Sequence, residues 1–259
     1  MKLGSIFFTL FSLMLIFISH ANAKTHHIKF AVNSPGTAPY IYYDFISGKY
    51  QGVVVDFFAS LEESGSFKVE YLDSNRARAE KMLSHGTADI FLSSSVWLEQ
   101  PENYLFSNTL MSHNSYMYST FAFNQAFNPN QSQRASICAR RNFTYPILSH
   151  YFDNNMLIRV DSSSQTTMAV MLAKGRCDFA IMSDDNARTI MYNSEFCDIE
   201  FYQSPNVISA VDISFVIRPE LSDVKKQVDE LLAIFISSGK RDKSVQQHVG
   251  IQVFPKRLC

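Results

Sequence analysis

Apolar residues recur along this chain in short runs cut by Gly, Pro and polar turns. Residues 28–32 predict a strand, which Pro35, Gly36 and Pro39 break into a loop. Two extended pieces, 40–45 and 50–55, flank a turn at Ser47-Gly48-Lys49. Asp56 is then expected to open a helix with Phe57, Phe58 and Leu61 on one face, ending near Gly65. A strand over 67–72 follows. A helix over 76–85 places Ala79, Met82 and Leu83 on one side and stops at Gly86, and 88–92 predict another buried strand. Strands alternating with helices predict an α/β unit with a largely parallel sheet.

Residues 120–133 turn polar and Asn/Gln-rich, with Pro129 among them, and the passage into a second unit is expected just before them. That unit repeats the pattern. Strands are predicted at 135–139, 156–160, 178–182 and 199–202, and helices at 144–151, 163–174 and 184–192. An extended run at 213–217 and a long helix at 221–238 exceed what the second unit needs and are expected to return to the first. The organisation read this way is lobe 1 at 24–118 plus 212–259 and lobe 2 at 119–211. The two crossings form a hinge, and strand ends and helix N-termini face a shared cleft.

The first residues change the setting. Lys2, the apolar run 6–18 and the small-residue pattern Ala21-Asn22-Ala23 read as an export signal at 1–23, cut before Lys24. The run is shorter than the roughly 20 residues that cross a bilayer. No Cys lies near the cleavage point to carry a lipid, so a freely diffusing protein in a periplasm is expected. A formal net charge of −1 argues against nucleic acid or an anionic membrane as partner. The four cysteines, Cys138, Cys177, Cys197 and Cys259, are an even set in an oxidising compartment and imply disulfides. Cys177 with Cys197, flanking one helix-sized segment, is the favoured pair, leaving Cys138 with Cys259. No Cys-x-x-Cys pair occurs, and His26 and His27 sit at the new N-terminus, so no metal site is expected.

Several motifs carry a resemblance. The stretch from Gly48 through Gly52 to Asp56, Arg76-Ala77-Arg78-Ala79-Glu80-Lys81-Met82-Leu83-Ser84-His85-Gly86-Thr87-Ala88-Asp89, Phe106-Ser107, Asn142-Phe143-Thr144-Tyr145-Pro146 and Gly175-Arg176-Cys177-Asp178 occur in the order seen in the solute-binding proteins of family 3. These are the polar amino-acid type of periplasmic binding protein. The resemblance implies a periplasmic binding protein-like fold of type II, α/β, with two lobes and a two-segment hinge. One departure is visible. Amino-acid binders of the family carry "T-x-E-R" before "F-S", and here the stretch is Trp97-Leu98-Glu99-Gln100, so Gln100 stands where an Arg would clamp a carboxylate.

Candidate ligand contacts follow from residue type and place. Arg76 precedes a helix and can hold a carboxylate with two donors. Tyr40, Tyr42 and Trp97 offer aromatic walls. Ser93, Ser94 and Ser95 follow a strand end, and Arg141 and Thr144 lie at a strand-to-helix turn suited to an anion. Asp184 or Asp185 ends another strand, where the resemblance implies an acid for a ligand's ammonium. No Gly-x-Ser-x-Gly elbow, His-Glu-x-x-His pair or Gly-rich phosphate loop occurs, so no catalytic residue and no cofactor is assigned. The expected role is capture of a small polar solute, amino-acid-like or a carboxylate, by a monomer serving a membrane permease, as in ABC transport of amino acids, or a sensor. The alternative is a lyase on the same fold, of the cyclohexadienyl dehydratase kind.

Overall fold

The computed structural model describes residues 25–63, 65, 67–191 and 193–249. The export signal and Cys259 lie outside the described residues. Among the described residues no helix is long and apolar enough to cross a membrane.

Lobe 1 begins with β1 (His26–Asn33), the two-residue β2 (Gly36–Thr37), β3 (Ile41–Asp44) and β4 (Lys49–Gln51), then α1 (Val53–Glu62) and β5 (Phe67–Ser74). It continues with α2 (Arg76–Ser84), β6 (Ile90–Ser93), β7 (Leu105–Phe106) and β8 (Met111–Ser119). Lobe 2 contains β9 (Ser136–Arg140), α3 (Pro146–Asp153), β10 (Ile158–Ser162), α4 (Gln165–Ala173), β11 (Phe179–Ser183) and α5 (Asp184–Met191). The chain returns through β12 (Tyr202–Ile217) to α6 (Ser222–Ser237) and α7 (Lys240–His248).

The strands join in the order β10-β9-β11-β8-β12-β6-β1-β5, and β2-β3-β4 form a separate small sheet. β1 is parallel to β5 and β6, and β9 is parallel to β10 and β11, as alternating strands and helices require. Buried apolar residues form separate cores. One spans residues 117–208, and the others draw on 28–110 and 213–235. Among the described strands, β8 and β12 run between them. They pair antiparallel from Ser119 with Tyr202 to Met111 with Ile213, and β12 then continues onto β6. Pro205 interrupts β12 where its register against β8 shifts, which suits a residue with no N–H to donate.

Several expectations need correction. Residues 53–55 belong to α1, not to an extended piece. Three consecutive valines favour a strand locally, but Gly52 turns the chain with φ 120°, and the N–H groups of Val53 and Val54 reach the carbonyls of Pro39 and Tyr40 at 2.9 and 3.0 Å. A Cβ at Gly52 would stand 2.6 Å from the Tyr40 carbonyl oxygen. Tertiary acceptors therefore supply the cap that sequence placed at Asp56. The runs at 199–202 and 213–217 are not two strands: residues 199–201 are irregular, and one 16-residue strand starts at Tyr202. α7 and β8 carried no clear apolar signal. α7 buries only Ser244, and polar contacts hold it to α1: Ser244 Oγ donates to Asp56 at 2.5 Å, and His248 Nε2 lies 3.0 Å from the same carboxylate.

The disulfide pairing also differs. Cys138 is bonded to Cys177, with Cα atoms 5.7 Å apart. Cys177–Cys197 and Cys138–Cys259 are thereby both overturned. Cys138 lies on β9 and Cys177 just before β11; these strands are neighbours in the sheet, with Cys138 opposite Ala180. Nearness along the chain favoured Cys197, but sheet adjacency decides. Cys197 is disulfide-bonded as well.

Candidate functional site

A cavity of about 130 Å³ lies between the lobes. Lobe 1 contributes Asn33 at the end of β1, Thr37, Tyr40, Arg76 and Trp97, and Ser93 at the end of β6. Lobe 2 contributes Arg140 at the end of β9, Phe143, Gln165 and Asn186, while His113 comes from the crossing strand β8. A larger, more polar chamber of about 450 Å³ adjoins it, sharing Asn33, Thr37, Arg140, Gln165 and Asn186 and adding the first turn of α4 from Ser164 to Thr167. Parallel strands end on one edge and the following helices begin there, so both lobes present their side chains and backbone N–H groups to the same gap.

Contacts across the gap are specific. Asn75 caps α2 by accepting from the Arg78 N–H at 3.0 Å, which starts the helix at Arg76 and sets its side chain toward lobe 2. Arg76 Nη1 donates to the carbonyl of Asn142, and Nη2 lies 3.6 Å from Glu80. Its Nε is buried and has no hydrogen-bond partner among the described residues. Burial pushes the guanidinium's pKa down, against the pull of Glu80 and Glu99. Asn142 adopts φ 63°, a left-handed conformation that Asn tolerates, and this turns its carbonyl to the cleft. The Trp97 indole Nε1 donates to the Thr144 carbonyl at 3.3 Å, and its ring centroid lies 4.9 Å from that of Phe143.

Phe143 also receives two cations. The guanidinium carbons of Arg76 and Arg140 each sit 5.3 Å from its centroid. Among the described residues no carboxylate pairs with Arg140, and burial lowers its pKa. A half-buried guanidinium with no counter-charge is costly unless an anion completes it.

His113 is largely enclosed between Tyr40 and Trp97. Its Nδ1 lies 2.7 Å from the Tyr40 hydroxyl, and its ring meets Trp97 edge-on at 5.4 Å. Burial lowers its pKa from 6.5 to about 4. Between those values the unfolded chain binds the proton and the folded one resists it. The stability contributed by the neutral ring is therefore complete above 6.5 and is lost as pH falls toward 4, by on the order of 3 kcal/mol. Melting followed from pH 7 to pH 4 is expected to show this slope in the wild type and a flatter one in His113→Gln. Equal slopes would remove His113 as its origin.

Of the expected contacts, Tyr40, Arg76, Ser93 and Trp97 come together on the inner cavity. Ser94, Ser95, Arg141, Thr144 and Asp184 do not line it. Ser94 is buried at the start of the short 3-10 turn Ser95–Trp97, and Ser95 is exposed. Arg141 points to solvent while its N–H joins the Ser162 carbonyl at 2.9 Å; its neighbour Arg140 takes the cleft position. Thr144 does not cap α3, whose N-cap is Tyr145, and meets the site only through its carbonyl. Asp184 is held by Arg188 in a two-pronged pair at 2.9 and 3.0 Å. Tyr42 is buried away from the cavity, bonded to Gln51 and His248. Gln100 lies on the outer side of lobe 1 with Glu80, Glu99 and Glu220. His113, Arg140, Phe143, Gln165 and Asn186 were not anticipated. Strand alternation through Ser136, Cys138 and Arg140 is the one signal that separates Arg140 from Arg141.

The family model described as bacterial extracellular solute-binding proteins, family 3, matches residues 28–251. No curated protein sequence matches the chain. Solved structures share the fold at low identity. The GluR0 ligand-binding core in complex with L-glutamate superposes with a TM-score of 0.71 at 14% identity, over 86% of this chain and 98% of that one. An arginine third transport system periplasmic binding protein from Legionella pneumophila gives 0.68 at 13%, over 86% and 99%. The ancestral amino acid-binding protein AncCDT-1, a precursor of cyclohexadienyl dehydratase, gives 0.69 at 15%, over 86% and 95%.

Proposed function

Because this chain belongs to the bacterial extracellular solute-binding proteins of family 3, we propose that it captures a small, polar, carboxylate-bearing solute, an amino acid or a relative of one, by closing lobes 24–118 plus 212–259 and 119–211 around it. The observation that carries this reading is the cavity shared by both lobes, with Arg76 on one side and Arg140 on the other. A ligand that touches both lobes binds the closed form more tightly than the open one, so binding and closure are one equilibrium. The β8–β12 crossing is the element that bends. Export to a periplasm, and delivery of the closed form to a permease or a sensor, complete the proposal. The binding reading is favoured over the lyase because the cavity's charged groups are guanidiniums, which hold anions and do not take up protons near neutral pH.

Trp97 is the chain's single tryptophan and sits across the gap from Phe143, so its fluorescence reports closure directly. In a panel of amino acids, oxo acids and dicarboxylates, at least one compound is expected to raise the melting temperature, change Trp97 emission and shrink the radius of gyration together, without being converted. Turnover of arogenate or prephenate would instead establish the lyase. Absence of any such response would remove the capture role.

A further inference from the structure

We infer that the solute of this cleft is an organic acid without an ammonium group, such as a dicarboxylate or a 2-oxo acid, and that free amino acids are the poorer ligands. The inference rests on the capture role and narrows its ligand. Its basis is the charge of the walls. Among the residues lining both chambers the charged side chains are Arg76 and Arg140, and no Asp or Glu is present.

The nearest acids are accounted for elsewhere. Asp184 is occupied by both prongs of Arg188. Asp185 lines neither chamber, although its charge reaches the Tyr40 hydroxyl; burial, reinforced by the charge of Asp184 and opposed by Arg188, raises its pKa and weakens it as a partner for an ammonium. The residue of this segment that does reach both chambers is Asn186, a neutral amide. Glu80 lies behind Arg76, 3.6 Å from its Nη2, where it steadies that cation and does not line the cavity. An ammonium brought into this space would meet two guanidiniums on the walls and no acid among the lining residues, with Glu80 already paired to Arg76 and Asp185 set behind the lining. A carboxylate would meet Arg140, which has no carboxylate partner among the described residues, and the first turn of α4, which borders the outer chamber and whose Thr167 N–H is capped by Ser164. Both ends of the cleft therefore favour anions.

Matched pairs that differ only in the amino group test this. Affinities of glutarate and 2-oxoglutarate against L-glutamate, succinate against L-aspartate, and 3-phenylpropanoate against L-phenylalanine can be measured by titration of Trp97 fluorescence with calorimetry as a check. The acid lacking nitrogen is expected to bind at least tenfold more tightly in every pair that binds at all. Asn186→Asp, which places a carboxylate on the shared wall, is expected to shift that preference toward the amino acid by tenfold or more. Equal or tighter binding of the amino acids by the wild type would overturn the inference and leave the capture role standing. Failure of every pair, together with failure of the wider panel, would overturn both.

Discussion

Phe215→Ala is expected to lower the unfolding free energy by about 3–5 kcal/mol. Phe215 is fully buried on β12 and packs on three other rings: Phe57 and Phe58 at 5.2 Å and Phe30 at 6.3 Å. These rings come from α1 and from β1, two strands along in the same sheet, so one side chain ties the returning strand both to its sheet and to the helix packed on it. Its backbone is held too, since Phe215 N–H donates to Ser107 Oγ and its carbonyl accepts from Ser107 N–H, both at 3.0 Å. Removing the ring leaves a cavity walled by other aromatic side chains, which cannot collapse without breaking their own packing. Denaturant unfolding is the measurement, with Ile46→Ala, at an exposed hairpin tip, as the control expected to stay within about 0.5 kcal/mol. A loss below about 1.5 kcal/mol for Phe215→Ala would show that lobe 1 does not depend on this cluster.

Arg140→Met is expected to weaken solute binding about 100-fold, or roughly 2.7 kcal/mol, without lowering the stability of the ligand-free protein. The two effects separate because Arg140 has no carboxylate partner among the described residues, so its cost in the folded state is desolvation without a compensating pair. Met keeps most of the stem that packs near Phe143 and removes the charge. Titration with the tightest compound of the panel and melting of the ligand-free variant check both halves. Unchanged affinity would take Arg140 out of the site, and a marked fall in ligand-free stability would make it a structural residue instead.

Local rules made much of the fold legible. Where an apolar period and a stop signal coincide, as at Ala79, Met82, Leu83 and Gly86 of α2, side chains within one or two turns decide the structure. The same holds for β1 and β11, whose apolar runs are buried, and for β5, the end strand, which buries Phe67. α7 and β8 escaped because their stability comes from partners far away in sequence. Asp56 lies 192 residues before His248, yet its carboxylate receives α7. β12 was split because Pro205 and the polar residues around it break the alternation that the pairing with β8 restores.

At the cleft the division is sharper. Sequence alone determined that a helix begins at Arg76, that a strand ends at Ser93, and that Trp97 follows close behind, because each depends on neighbours in the chain. Only the tertiary structure decided that Arg140 and not Arg141 faces the gap, that Asn186 and not Asp184 reaches it, and that Cys138 meets Cys177. In the first two cases a shift of one or two residues turns the side chain away on a strand or helix, and in all three the outcome is set by pairing between segments that the chain holds far apart.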